Sequence, residues 1–340
     1  MIGYETGLME VYDLNTNVVL KVVDILNQIT IPPNNRRIND FYEFDNLVYI
    51  STNYGISIYD MQSLEFGDTY YIGFNGTQAR VHQITLNNNE IYAATSDGLK
   101  KANLNNPNLI DFQFWQTPFL GDFSSVISIA DQVFTAKSDN ILYAVNNNNL
   151  SPVLSFTDPI LRLEPNETNF SIITANKVYY YQADLSLISS YNNSPDLNTT
   201  FTTSKIFNNT IYIGTLGSGM LKTSNNSNDL YEKIIPNGPL RNNPFSLHFG
   251  YGDLWVTFGD YDEDFNPNPN REYGFSFLEN NIWTNVSYDS IQQNIEKPVY
   301  NLNAIAINPV NSDQVFISSF QHGLLKFEKN NSLELLDDTN

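Results

Sequence analysis

The pattern of hydrophobic and polar positions repeats along the chain. Each copy contains an apolar strand, a short polar turn ending in Gly or Asn, and a second strand in which apolar and polar residues alternate. The copies are clearest at Leu47–Tyr59, Ile91–Ala102 and Val315–Leu325. Alternation over four to eight residues predicts half-buried β-strands. No segment shows a sustained 3.6-residue period with helix caps, so few helices are expected.

The turn residue of the repeat occurs at eight anchor positions. The anchors lie roughly 36 to 55 residues apart, close to the 40–50 residues of a four-stranded propeller blade. Six are Gly and two are Asn, which predicts a positive φ angle in each hairpin. The sequence therefore predicts an all-β protein, a β-propeller of four-stranded antiparallel blades, with seven blades preferred and eight as the alternative. The anchors are Gly7, Gly55, Gly98, Asn140, Asn176, Gly219, Gly274 and Gly323.

Segments on either side of the repeated hairpin supply the remaining two strands of each blade. Val81–Leu86, Val126–Ile129 and Leu302–Ile307 are the candidates for innermost strands. Looser segments with aromatic residues, Phe112–Trp115 and Trp283–Val286, are the candidates for outermost edge strands. The first unit has no segment for an innermost strand, so its blade is expected to be truncated or closed by a distant strand.

The repeat units also suggest a domain organisation. Residues 1–290 are expected to form the propeller, with a partial first blade. Residues 291–340 contain the last repeat unit, which either closes the ring or begins a second propeller.

Composition narrows the classes of partner. The 340 residues contain 37 Asp and Glu against 17 Lys and Arg, giving a formal net charge of −20. Such a surface repels phosphate backbones and anionic headgroups, so no nucleic-acid partner is expected. No apolar run is long enough for a membrane span. The absence of Cys excludes disulfides and thiolate metal sites.

One acidic segment is a weak candidate for a calcium site. Asp260, Asp262 and Asp264 place carboxylates at alternate positions, as at the start of an EF-hand loop. Two requirements of that loop are not met, because Phe265 replaces the Gly of position six and Arg271 replaces the Glu of position twelve. A solvated acidic loop is the preferred interpretation, and no other cofactor is expected.

Two departures from the repeat are candidates for binding. The Pro- and Gly-rich turn at 236–244 presents Arg241, which suits a carboxylate or phosphate. The insertion at 260–273 carries Glu263 and Arg271 and belongs to the adjoining part of the repeat. We expect these two loops to form one recognition patch.

The sequence contains no recognisable catalytic motif. Its three histidines, His82, His248 and His322, belong to different repeat units. No Gly-x-Ser-x-Gly elbow, phosphate-binding Gly loop or His-Glu-x-x-His is present. No catalytic residue is therefore predicted. A propeller polysaccharide lyase or hydrolase remains the least favoured alternative, because groups gathered at a central channel need no local motif.

An ordered set of segments resembles a known family. The segments are Ile2–Val11, Arg37–Phe41, Tyr54–Asp60, Asn237–Asn243, Leu254–Tyr261 and Asn308–Leu325. Together they resemble the amino-terminal β-propeller of PorZ-type proteins of Bacteroidetes, components of type IX secretion. The resemblance extends over nearly the whole chain.

The resemblance implies a role at the cell surface. Family members carry an export signal, two successive propellers and a carboxy-terminal β-domain, so this chain is expected to be part of a longer protein. They lie on the extracellular face of the outer membrane in an attachment complex with the PorU sortase, PorV and PorQ, and assist delivery of anionic lipopolysaccharide. The expected function is a non-catalytic recognition module. The alternative is the periplasmic glycan-sensing propeller of a hybrid two-component regulator.

Overall fold

The chain folds into consecutive antiparallel β-sheets. The computed structural model describes residues 1–146, 149–193, 199–224, 231–267, 269–330 and 332–337. These residues form one three-stranded sheet followed by seven four-stranded sheets, and within each sheet every strand pairs with the next one along the chain. We number the sheets blades 1 to 8 in chain order. The predicted all-β class and four-stranded propeller blades are confirmed, as is the truncated first blade.

The strands divide between two compact units, Met1–Ile235 and Pro236–Asn340. The first unit contains blades 1 to 6 and the second contains blades 7 and 8. The sequence-based boundary at residue 290 marked where the ring of blades was expected to close. That boundary and the number of blades in the ring stay predictions.

The strands of the first unit are the following. Blade 1 contains β1 (Ile2–Gly3), β2 (Met9–Asp13) and β3 (Val18–Val22); blade 2 contains β4 (Ile38–Phe44), β5 (Leu47–Thr52), β6 (Ile56–Asp60) and β7 (Glu65–Tyr70). Blade 3 contains β8 (Val81–Asn87), β9 (Glu90–Thr95), β10 (Gly98–Asn103) and β11 (Gln116–Leu120); blade 4 contains β12 (Phe123–Ile129), β13 (Gln132–Lys137), β14 (Ile141–Asn146) and β15 (Asn149–Ser155). Blade 5 contains β16 (Ile160–Pro165), β17 (Asn169–Thr174), β18 (Lys177–Gln182) and β19 (Leu187–Asn192); blade 6 contains β20 (Phe201–Phe207), β21 (Thr210–Thr215), β22 (Met220–Ser224) and β23 (Glu232–Ile234).

The second unit and the helices complete the described elements. Blade 7 contains β24 (Ser246–Gly250), β25 (Asp253–Thr257), β26 (Phe275–Glu279) and β27 (Ile282–Val286); blade 8 contains β28 (Ala304–Asn308), β29 (Asn311–Ser318), β30 (Leu324–Glu328) and β31 (Ser332–Leu336). The helices are α1 (Asp24–Asn27), α2 (Tyr288–Gln292) and the 3-10 turns Pro33–Asn35, Phe74–Gly76 and Phe112–Phe114. Within the described ranges, no helix is long and apolar enough to cross a membrane.

The hydrophobic cores pack between neighbouring blades. Inward residues of blade 4 meet those of blade 5, and Phe134 stacks on Phe170 with ring centroids 5.4 Å apart. One predicted outer strand is wrong: Phe112–Phe114 is a 3-10 turn, and the outer strand of blade 3 begins at Gln116. The turn forms because Asp111 accepts a hydrogen bond from the backbone N–H of Gln113, which caps it.

The anchors lie close to where the repeat predicts. Six lie between the two middle strands of blades 2 and 4 to 8, Gly98 is the first residue of β10 in blade 3, and Gly7 lies between β1 and β2 of blade 1. The expectation of a positive φ is confirmed at Gly7, Gly55, Gly219 and Gly323. It is wrong at the other four anchors: Gly98, Asn140, Asn176 and Gly274.

Close contact explains the two exceptional glycines. A Cβ atom on Gly274 would lie 1.8 Å from the carbonyl oxygen of Val286, and one on Gly98 would lie 2.8 Å from that of Phe119. Both oxygens belong to the outermost strand of the same blade. Asn140 instead donates a 2.5 Å side-chain hydrogen bond to the carbonyl of Phe156. At these anchors the residue type follows from contact with the outer segment and not from φ.

A bulge recurs in the innermost strands of blades 2 to 6. In β4, Ile38 pairs with Thr52 and Asp40 pairs with Ser51, so Asn39 is an extra residue in the ladder. The same irregularity follows the first residue of each inner strand, which is buried: Ile38, Val81, Phe123, Ile160 and Phe201. Since a bulge re-aims the side chain after it, it changes the direction of five equivalent residues: Asp40, Gln83, Ser125, Arg162 and Thr203.

Candidate functional site

The insertion in blade 7 is held at its base by a buried asparagine. The backbone N–H of Asn301 donates to the carbonyl of Arg271 at 3.0 Å, and its Nδ2 donates to the carbonyl of Asp260 at 2.5 Å. Its Oδ1 accepts from the N–H of Arg271 at 2.6 Å. Asn301 has a φ of 50°, a conformation that Asn tolerates better than most residues. One side chain therefore fixes both ends of the 260–271 loop.

The two predicted binding arginines meet on one tyrosine. The guanidinium carbons of Arg241 and Arg271 lie 3.9 and 5.8 Å from the ring centroid of Tyr273, within the range of cation–π attraction. Arg271 also pairs with Asp260 at 3.4 Å. Arg241 is exposed, and no carboxylate pairs with it among the described residues. The structure thus brings the 236–244 turn and the 260–273 insertion together.

Further aromatic side chains extend this surface, and Phe245, Phe265 and Phe320 among them are exposed. Phe245 packs edge-on against Tyr261 at 4.7 Å, and Tyr261 lies 5.3 Å from Phe265. Phe245, Tyr261, Phe265 and Phe320 line an open cavity of about 370 Å³. A second cavity, of about 350 Å³, shares Phe245 and is lined by Arg271 and Tyr273. We call the whole set the arginine–aromatic surface: Arg241, Phe245, Tyr261, Phe265, Arg271, Tyr273 and Phe320.

The acidic residues of the insertion have separate roles. Oδ1 of Asp262 accepts hydrogen bonds from the backbone N–H groups of Asn266 and Asp264, at 2.8 and 3.0 Å. These hydrogen bonds lower the pKa of Asp262, and the bond from Asn266 has the larger effect. Glu263 and Asp264 are exposed. In the described part of the chain, His, Asp and Glu side chains do not gather in groups of three that could hold a metal ion. The calcium site at Asp260, Asp262 and Asp264 stays a prediction.

The three histidines lie in blades 3, 7 and 8. Nε2 of His82 is 3.6 Å from Asp122, and the hydroxyl of Ser138 donates to the same carboxylate at 2.5 Å. In a hydrolytic triad the imidazole lies between the hydroxyl and the carboxylate. Here the carboxylate lies between them, so His82 is not placed to take the proton of Ser138. Burial, and then the charge of Arg80, lower the pKa of His82.

Residues that follow the bulges form an ion-pair cluster within the first unit. The guanidinium of Arg162 on β16 binds the carboxylates of Asp40 on β4 and Glu164 on β16. The hydroxyl of Thr203 on β20 donates to Glu164 at 2.8 Å. Burial raises the pKa of Asp40 to about 6, against the attraction of Arg162, and the nearby charge of Glu164 acts in the same direction as burial. Both carboxylates are engaged by Arg162.

A second network joins the inner strands of blades 3, 4 and 5. Oε1 of Gln83 accepts hydrogen bonds from the hydroxyl of Ser125 and the N–H of Val126. The same Ser125 hydroxyl accepts from the N–H of Leu163 at 2.9 Å, and Nε2 of Gln83 donates to the carbonyl of Leu163 at 3.1 Å. Because these groups are buried and mutually paired, the network fixes the spacing of the inner strands.

Sequence reasoning found the arginines but missed their surroundings. Tyr261 and Phe265 are aromatic residues in an insertion otherwise rich in Asp, Asn and Pro. That contrast in the sequence could have identified them as candidate binding residues. The inner-strand networks also had a signal, a polar residue two positions after the apolar residue that begins each inner strand of blades 2 to 6.

The repeated four-stranded antiparallel blades define a β-propeller protein. Residues 1–116 match the family model for the amino-terminal β-propeller domain of PorZ of the type IX secretion system. The predicted resemblance to PorZ is thereby confirmed over that range.

One solved structure shows the same fold. PorZ of Porphyromonas gingivalis is similar with a TM-score of 0.74 and 17% sequence identity, over 99% of this chain and 44% of that one. This chain thus spans less than half the length of that PorZ. The extracellular domain of a hybrid two-component system of B. thetaiotaomicron gives a TM-score of 0.48 at 12% identity, covering 98% of this chain and 51% of that one. No curated protein sequence matches the chain significantly.

Proposed function

We propose that this chain is a non-catalytic recognition module of a type IX secretion complex at the cell surface, and that it docks other secretion proteins. The match of residues 1–116 to the PorZ propeller family supports the secretion context. The PorZ of Porphyromonas gingivalis is described as an essential bacterial surface component of the type IX secretion system. We propose the extracellular face of the outer membrane as the location of this chain.

The arginine–aromatic surface is the observation that carries the docking role. Phe265 is 67% exposed although a buried Phe side chain typically gains about 1.5–3 kcal/mol. Aromatic residues and Arg are enriched in the energetically dominant centres of protein interfaces. Asn301 holds the loop that carries Tyr261, Phe265 and Arg271. Less conformational entropy of that loop is therefore lost when a partner binds.

The non-catalytic part of the proposal is supported by the polar side chains. Arg162 binds the paired carboxylates of the inner strands, and the carboxylate of Asp122 separates His82 from Ser138. We further expect the full-length protein to assist lipopolysaccharide delivery. Direct measurement of its binding to purified lipopolysaccharide would test this expectation.

The docking role can be tested by recovery of partners from solubilised outer membranes of a Bacteroidetes host. The test variant is Arg241→Ala combined with Phe265→Ala. The matched control is Leu216→Ala, since Leu216 in the first unit is 71% exposed and comparable to Phe265. We expect recovery of type IX secretion proteins to fall about tenfold for the double variant, which corresponds to about 1.4 kcal/mol, and to stay unchanged for the control. Equal recovery by a folded double variant would place the docking surface elsewhere.

A further inference from the structure

The outermost strand of blade 1 presents an unusual edge. β3 has the sequence Val-Val-Leu-Lys-Val and pairs only with β2, so its other edge is unpaired within the described residues. Val18 and Val19 are 60% and 40% exposed. An exposed apolar edge strand with unpaired backbone groups is a template for pairing with another strand.

The outer strands of the other blades carry features that discourage such pairing. Pro, charged side chains (Lys above all) and covering side chains are the usual means of protecting an edge. They occur as Asp68 in β7, Pro118 in β11, Pro152 in β15, Tyr231 bonded to the carbonyl of Asn192 in β19, Glu232 in β23, Asn237 bonded to Trp283 in β27 and Glu334 in β31. β3 contains neither Pro nor a carboxylate, and its one charged residue, Lys21, lies opposite Glu10 of β2. The backbone N–H of Val18 donates to the hydroxyl of Thr16 in the preceding turn at 3.4 Å, and the next residues of β3 lie beyond the reach of that turn.

We propose that β3 binds an extended segment of another polypeptide, which adds a further strand to blade 1. Main-chain hydrogen bonds supply affinity in this mode of recognition, and side chains at alternate positions supply specificity. Val19 lies opposite Tyr12 on one face of the sheet, whereas Val18 and Leu20 lie on the other. The bound segment is therefore apolar at alternate positions.

Charge complementarity indicates that the bound segment is basic. Residues 1–30 contain one basic residue, Lys21, and four acidic residues: Glu5, Glu10, Asp13 and Asp24. Glu10 lies directly opposite Lys21 in the strand pair and Glu5 pairs with Arg37 at 2.7 Å, which leaves Asp13 and Asp24 in excess. A second copy of the chain also carries a net charge of −20, so repulsion opposes pairing between copies.

The test uses the full chain and a fluorescein-labelled peptide of seven alternating Lys and Val residues with blocked ends. We expect saturable binding in fluorescence anisotropy, and a peptide with Pro in place of its central residue should not bind. Val19→Glu should weaken binding about tenfold, even though it adds a negative charge. The matched control is Ile188→Glu on β19, where Ile188 is 45% exposed; it should leave binding unchanged. Circular dichroism checks the folding of both variants.

Hydrogen exchange distinguishes the possible results. Protection confined to the amides of β3 on peptide binding supports the proposal. Binding that Val19→Glu strengthens, or that tolerates the Pro peptide, would show general electrostatic adsorption and overturn it. A dimer in sedimentation that Val19→Glu abolishes would identify a second copy as the occupant and overturn the choice of a basic partner.

Discussion

A single arginine holds two carboxylates among the inner strands of the first unit. Arg162 supplies one positive charge to Asp40 and Glu164, so the cluster carries an uncompensated negative charge in a mostly buried place. Charge in such surroundings is costly unless it is paired or a proton neutralises it. The raised pKa of Asp40, about 6, expresses that cost.

Stability should therefore depend on pH through Asp40. Its folded-state pKa of about 6 exceeds the ordinary value of 3.8, so the native state binds the proton more tightly than the unfolded chain. The stabilising contribution is full below pH 4 and is lost as the pH rises through 6. We expect the free energy of unfolding of the wild type, relative to Asp40→Asn, to fall by up to about 3 kcal/mol between pH 4 and pH 7. Urea denaturation across this range measures it, and a pH-independent difference would contradict it.

Asn301 should contribute to stability through its side-chain hydrogen bonds. Asn301→Ala leaves the N–H of Arg271 and the carbonyl of Asp260 without their side-chain partner. We expect a loss of about 2 kcal/mol in the free energy of unfolding. Asn281→Ala is the control, because Asn281 also has a positive φ, 64°, but its exposed side chain is not hydrogen-bonded in the described structure. Similar losses for both variants in urea denaturation would show that backbone strain alone is responsible.

At the level of strands and turns, glycine serves two different purposes. Gly217 has a φ of 80° with open space around it, whereas Gly274 lacks a positive φ but contacts the carbonyl of Val286. The first position needs conformational freedom and the second needs the absence of a side chain.

Alanine at these two glycines should separate the two effects. Gly274→Ala forces β27 away from the hairpin, and we expect it to lower the free energy of unfolding by about 3 kcal/mol. Gly217→Ala only strains the backbone, and we expect it to lower the free energy of unfolding by about 1 kcal/mol. Thermal and urea unfolding measure both. A smaller loss for Gly274→Ala than for Gly217→Ala would contradict the contact explanation.

The strands were predictable because their signals are local. The alternating pattern and the anchors place the middle strands of each blade, and pairs of residues at positive φ, such as Asn88 and Asn89, close several of the neighbouring turns. The bulges were not predicted, because an extra residue in a ladder depends on the partner strand. The 3-10 turn at Phe112 was mistaken for a strand, since three residues are too few to show a period.

The candidate site was predictable only in part. Prolines, glycines and charges marked the two loops that contain Arg241 and Arg271. Their meeting on Tyr273 depends on how residues about thirty positions apart fold onto each other, and no sequence pattern gives that contact. The link from Arg162 to Asp40 spans 122 positions and was equally hidden.

At the scale of the molecule, a strongly acidic chain carries arginine and aromatic side chains, several of them exposed, close together in its second unit. The net charge of −20 keeps such chains apart in solution. The arginine–aromatic surface adds apolar area and hydrogen-bond donors that a partner can cover. A docking interaction at this surface should therefore weaken only modestly with salt, because buried aromatic side chains are not screened.

Site-specific photo-crosslinking in living cells tests the docking claim most directly. Benzoylphenylalanine replaces Phe265 in the full-length protein, with the same substitution at Leu216 as the control. We expect irradiation to link position 265 to type IX secretion proteins and to leave position 216 without such links. Links to secretion proteins from position 216, with none from a folded protein substituted at position 265, would contradict the account.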